Sequence, residues 1–156
     1  MIASLFHIHV YTTDASGLSS TRAAAADPSK WLVLPEIISK EPLGPLVRHG
    51  DHQWGDVVRW SLNAMIIAEE LGITSENVDA SLSSNVPEVL RLLGVEGSYG
   101  EMLELAPDWA YQILKQIGNY SESYEANVGP DTPLEIARGL NALWTQGGIL
   151  YAPPFR

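Results

Sequence analysis

The chain has 156 residues, a formal charge of −10 and 46% apolar residues, enough for one domain with its own core and too apolar for a disordered segment. Its nine Lys and Arg residues are scattered from Arg22 to Arg156, which argues against nucleic-acid binding, because phosphate contacts need clustered basic side chains. With no cysteine there is neither a disulfide framework nor a thiolate metal site.

Taken in order, residues 5–13 are rich in β-branched and aromatic side chains and read as a strand that ends on Asp14. Residues 15–26 read as a helix stopped by Asp27 and Pro28. A short strand is expected at 31–34, ended by Pro35. Residues 37–48 are apolar but interrupted by Pro42, Gly44 and Pro45, the pattern of an extended crossover. Beyond Asp51 the chain reads as almost wholly helical. Asp51 suits the N-cap of a helix over 53–71, with Gly72 as its stop. Trp54, Val57, Val58, Leu62, Met65 and Ile66 give that helix a broad apolar face. Asn85 to Glu88 has the form of a capping box before a short helix ended by Gly94. Pro107 and Asp108 open a helix to Gly118, and residues 120–127 form another. Thr132, Pro133 and Glu135 combine a cap, a first-turn proline and an acidic third position, predicting a helix to Trp144. The tail 149–156 is expected to lie extended against the body. The fold class is thus α/β and helix-rich, with one boundary near residue 50. No stretch approaches the ~20 apolar residues of a membrane span, and the opening residues lack the pattern of a secretory signal.

Asp14 is the leading site candidate. A carboxylate at the C-terminal end of a strand can hold a ligand's ammonium group by a charge-assisted hydrogen bond. It can equally cap the following helix. Tyr11, Thr12 and Thr13 either line the same wall or fill a sheet. His7 with His9, and His49 with His52, have no acidic partner at a recognised ligand spacing, so no metal is assigned. No organic cofactor is implied. Ser16 lacks a nucleophile-elbow motif. Glu69, Glu70, Glu101 and Glu104 read as solvated helix faces, and the sequon at Asn119 as accidental. Trp54, Trp60, Trp109 and Trp144 read as core.

Five long strings carry a family resemblance: VYTTDASGL, LPEIISKEPLGPLVRHGDHQW, DVVRWSLNAMIIAEELGIT, LLGVEGSYGEMLELAPDWAYQILKQIGNY and PDTPLEIARGLNALWTQGGILYAPPFR. Through them, residues 10–156 resemble the C-terminal half of the general L-amino-acid-binding periplasmic proteins, type II solute-binding proteins that serve ABC transporters. The resemblance implies two α/β lobes joined by hinge strands. In it, 1–40 are a remnant of the second lobe, 41–50 a hinge crossover, and 51–156 a helical part that packs on the first lobe, most of whose sheet is absent here. It also implies that Asp14 meets the ligand's α-ammonium group, with Thr13 and Tyr11 beside it, and that the working partner is an ABC transporter permease. A periplasmic location is implied as well, although the missing secretory pattern leaves a cytoplasmic one open.

A surface that should pack on an absent lobe would expose several hundred Å² of apolar area, representing ~10 kcal/mol at ~25 cal/mol per Å². Self-association, by exchange of helices or strands, is therefore the expected response. The sequence thus supports a truncated amino-acid solute-binding protein, or alternatively a self-associating interaction protein (a domain-swapped oligomer) that binds no ligand. An enzyme ranks last, since no acid–base pair or nucleophile constellation is visible.

Overall fold

The computed structural model describes residues 10–40 and 42–155. Seven α-helices run along them: α1 Ala15–Ala23, α2 His52–Glu70, α3 Val78–Ser81, α4 Pro87–Leu92, α5 Tyr99–Met102, α6 Trp109–Gln116 and α7 Tyr120–Asn127. Short 3-10 turns lie at Pro28–Lys30, Gly139–Asn141 and Trp144–Gln146.

α2 is the axis of the body and packs against α6 and α7, while α6 also meets α3. Local chemistry sets both of its ends. Asp51 accepts a hydrogen bond from the Trp54 amide at 3.1 Å, satisfying a first-turn donor. At the other end Gly72 adopts φ +69°, so the Gly72 amide reaches the Glu69 carbonyl and the Ile73 amide reaches that of Ala68. This is a Schellman stop, and it turns Ile73 into the core. α4 ends in the same way, with Gly94 at φ +74° and the Val95 amide donating to the Leu90 carbonyl.

Ala64, Ile67 and Ala68 share one face of α2 and are buried with Val78, Leu92, Leu93, Ala110 and Leu114. Alanines four residues apart let neighbouring helices approach closely. The C-terminal tail closes this core, as expected from its apolar run. Ala152 and Phe155 are buried, and the Phe155 ring lies 5.2 Å from Trp60, 5.4 Å from Tyr99 and 6.2 Å from Trp109. The Arg91 Nε donates to the Phe155 carbonyl at 3.1 Å, anchoring the backbone there as well.

Several expectations are corrected. Among the described residues there is no strand; the one ladder contact is an isolated parallel bridge between Leu143 and Leu150. Residues 10–13 and 31–34 belong to no helix or strand, so the α/β character expected of the N-terminal third is not realised there. A strand needs a neighbour for its N–H and C=O groups, and the described chain supplies none. Residues 5–9 lie outside the described residues. α1 stops at Ala23 rather than residue 26. The Asn85 capping box does not form: Val86 is the N-cap and Pro87 alone marks the start. The helix expected over 132–144 is replaced by turns and two 3-10 segments. There the Ile136 amide donates to the Val128 carbonyl, and Glu135 takes φ +52°.

Burial also reassigns side chains. Trp109 is buried and Trp60 packs on the core, but Trp54 and Trp144 are more than half exposed. Trp144 donates its Nε1–H to Glu70 at 3.2 Å. Glu69 is not a solvated residue, since its side chain is 8% exposed and receives both the 3.0 Å and 3.1 Å hydrogen bonds of Arg138. The Arg138 guanidinium also stands 5.3 Å from the Tyr120 ring and 5.2 Å from that of Tyr124. Asn119 is 4% exposed and caps α7 in a reciprocal box with Glu122, so the sequon is a structural cap.

Candidate functional site around the N-terminus of α1

The turn from residues 10–13 into α1 puts Asp14 in extended geometry at the N-cap. Its Oδ1 accepts from the Ser16 hydroxyl at 2.5 Å and from the Gly17 amide at 2.8 Å. Among the described residues its Oδ2 accepts only the exposed Thr13 hydroxyl, at 3.2 Å. Gly17 is needed for this closeness, because a Cβ there would stand 2.8 Å from Thr13 Cγ2 and 3.0 Å from Asp14 Oδ2. The Ser16 hydroxyl, then the Gly17 amide, stabilise the carboxylate and lower its pKa below the ordinary 3.8.

The capping and ligand readings of Asp14 are therefore compatible. A carboxylate offers about four lone-pair sites, and three are taken here, so Oδ2 keeps capacity for one further donor. Thr13 and Tyr11 are exposed beside it. Among the described residues, every side-chain hydrogen bond to Asp14 comes from residues 13–17. The structure thus groups Tyr11, Thr13 and Asp14 along one short segment, and no other described element supplies a hydrogen-bonding side chain to Asp14.

At the other end of α1, Arg22 Nη2 meets Glu135 Oε2 at 2.5 Å. Sequence spacing could not reveal this pair, separated as it is by 113 positions. It borders a cleft of about 490 Å³ walled by Trp31, Pro28 and Pro133. A second cleft, of about 270 Å³, lies at the start of α2 between Arg48, His49, His52 and Arg59, with Asp51 and Asp56 among its walls. No cluster of three or more His, Asp or Glu suited to a metal occurs among the described residues, and His7 and His9 lie outside them. No helix among the described residues is long and apolar enough to cross a membrane.

No protein-family model matches the chain. Individual relatives do. The chain is 56% identical over 147 residues to the glutamate/glutamine/aspartate/asparagine-binding protein BztA of Rhodobacter capsulatus, covering 94% of the chain and 44% of that protein. It is 55% identical over 149 residues to the general L-amino acid-binding periplasmic protein AapJ of Rhizobium johnstonii, again 94% of the chain and 44% of the relative. A putative amino-acid ABC transporter-binding protein of Escherichia coli, YhdW, is 54% identical over 145 residues, 92% of the chain and 42% of the relative. Among solved structures, an ABC transporter periplasmic binding protein from Brucella ovis with glutathione bound superposes with a TM-score of 0.89 at 51% identity. That match covers 94% of the chain and 46% of the solved one. The chain spans less than half the length of the relatives it matches, and it is itself a relative of the amino-acid ABC transporter-binding proteins.

Proposed function

We propose that the chain forms the C-terminal portion of the solute-binding protein of an amino-acid ABC transporter and contributes one wall of a site for a polar L-amino acid. The observation that carries this reading is the match of nearly the whole chain, at 54–56% identity, to proteins named for amino-acid binding. Asp14 is the ammonium partner in this reading, since its carboxylate is held ionised and Oδ2 has an open acceptor site. Thr13 and Tyr11 flank it. In this reading residues 1–40 belong to the second lobe, 41–50 to the crossover between lobes, and 51–156 to the helical part that packs on the first lobe. Binding is noncovalent and needs no metal or organic cofactor. The relatives are binding proteins rather than enzymes, and the same is proposed here. The transporter's permease is the proposed partner and the periplasm the proposed compartment.

The test is thermal unfolding with and without L-glutamate, L-glutamine, L-aspartate and L-asparagine, for the chain and for Asp14→Asn. Asn caps a helix about as well as Asp, so this variant removes the charge and spares α1. A rise in Tm with one amino acid that disappears in Asp14→Asn supports the reading. No rise with any of the four, or an unchanged rise in the variant, refutes the role of Asp14.

A second reading, self-association without ligand, is favoured by a specific observation. Between the two 3-10 and helical anchors at Pro28–Lys30 and α2, the chain leaves Leu32, Ile37, Ile38, Leu43 and Leu46 largely in solvent, Leu46 at 97%. Exposed apolar side chains on backbone outside any helix or strand are a template for another strand. Light scattering across a concentration series separates the readings: a dimer insensitive to amino acids supports association, and a monomer at all concentrations refutes it.

A further inference from the structure

Among the described residues, Arg22 to Glu135 is the sole hydrogen bond or ion pair that joins residues 10–47 to residues 52–155. We propose that this pair is a latch that holds α1 on the helical body and, through the helix, sets where Asp14 stands. The second half of the proposal rests on the reading of Asp14 as a ligand residue; the latch itself does not.

Three observations converge on it. First, α1 is a rigid lever. Asp14 caps its start, Arg22 lies in its last turn, and eight residues at ~1.5 Å each separate the two by ~12 Å. A rotation of the helix about Arg22 therefore displaces the carboxylate. Second, the contact spans a cleft instead of sitting in packed core. Trp31, Pro28 and Pro133 wall about 490 Å³ beside it, and the one buried residue of α1 is the polar Ser19, so no buried apolar side chain of the helix opposes opening. Third, both sides are presented for the contact. The Arg22 side chain is only 23% exposed although it lies on the surface, so its stem is laid along protein and the head is aimed. Glu135 sits at φ +52°, a conformation that non-glycine residues seldom take and that persists when surroundings impose it. The Ile136 amide, bonded to the Val128 carbonyl at 3.0 Å, pins the next residue and directs Glu135 outward.

The pair is partly solvated, with Glu135 61% exposed, so it is weak and salt-sensitive. Exposed pairs correspond to shifts in an equilibrium of up to about fivefold, and the Debye length falls from ~10 Å at 0.1 M salt to ~3 Å at 1 M. A latch of this strength biases α1 without locking it.

The chain has no cysteine, so nitroxide labels can be placed cleanly at Ala24→Cys and Ala126→Cys, both exposed, at the end of α1 and on α7. Pulsed electron spin resonance then reads the distance between α1 and the body. The expected result is one narrow distribution at low salt, broadened at 1 M salt and broadened equally by Arg22→Gln, by Glu135→Gln and by both together. The exchange Arg22→Glu with Glu135→Arg restores the narrow distribution. Single neutralisations that leave the distribution unchanged, or an exchange that fails to restore it, overturn the latch. Calorimetry with L-glutamate tests the lever: affinity reduced up to about fivefold by Arg22→Gln supports it, and unchanged affinity overturns it. If the parent chain binds no amino acid while the distances respond, the reading of Asp14 fails and the latch stands.

Discussion

Phe155→Ala removes the ring that three aromatic side chains surround. Phe155 is 5% exposed and touches Trp60, Tyr99 and Trp109 with centroid distances of 5.2, 5.4 and 6.2 Å. Truncating a buried phenylalanine costs about 3–5 kcal/mol from lost transfer energy and the cavity left behind. The three aromatic contacts, at roughly 0.5–1.5 kcal/mol each, place this site toward the upper end. Residues 151–155 lie outside any helix and can detach as a segment, which limits the cost to what their own docking contributes, so about 3 kcal/mol is expected. For a domain of this length that corresponds to a fall in Tm of about 6–12 °C. Urea unfolding followed by tryptophan fluorescence is the direct assay, because Trp60 and Trp109 report on the same cluster. Phe155→Leu serves as control: it keeps most of the apolar volume and should lose about 1 kcal/mol. A loss under 1 kcal/mol in Phe155→Ala, with unchanged fluorescence, would show that the tail does not close the core.

Two further outcomes follow from other clusters. Arg138→Ala should cost about 3–5 kcal/mol in urea unfolding, because it strands the buried Glu69 carboxylate. The additional change Glu69→Leu should recover much of that loss, and additive losses would refute the pairing. Protonation of Asp14 should release the first turn of α1. Its folded pKa is depressed below 3.8, so the stabilisation is complete above that value and is lost as pH falls through the lower, folded value. The protection factor of the Gly17 amide, its exchange rate relative to the intrinsic rate at each pH, should therefore fall below pH 3.8 in the parent chain. The same profile should be flat in Asp14→Asn, and a similar pH dependence in both proteins would exclude Asp14 as its source.

Elements whose signals are local were legible in the residues. Asp51, the apolar face of α2 and Gly72 define a helix that needs nothing distant to start or stop, and residues 120–127 emerged with the same bounds in the structure. Asp14 at the head of α1 was legible for the same reason, since its side-chain hydrogen bonds stay within residues 13–17. Long-range pairing was not legible. Residues 10–13 and 31–34 have strand composition, but a strand exists only beside another, and the described chain offers no partner. Thr132, Pro133 and Glu135 carry a true helix-start signal that captures one turn: the Thr132 Oγ1 accepts the Leu134 amide, after which the Ile136 amide is taken by Val128 and Arg138 by Glu69. Glu69 looked solvated because its partner lies 69 positions away, and the Arg22–Glu135 latch spans 113. The sequence by itself determined where helices begin and end, because caps, glycine stops and apolar periodicity act within one or two turns. Only the tertiary structure decided which charges are buried, where the aromatic tail docks and what holds α1 in place, because those contacts join residues that chain order keeps far apart.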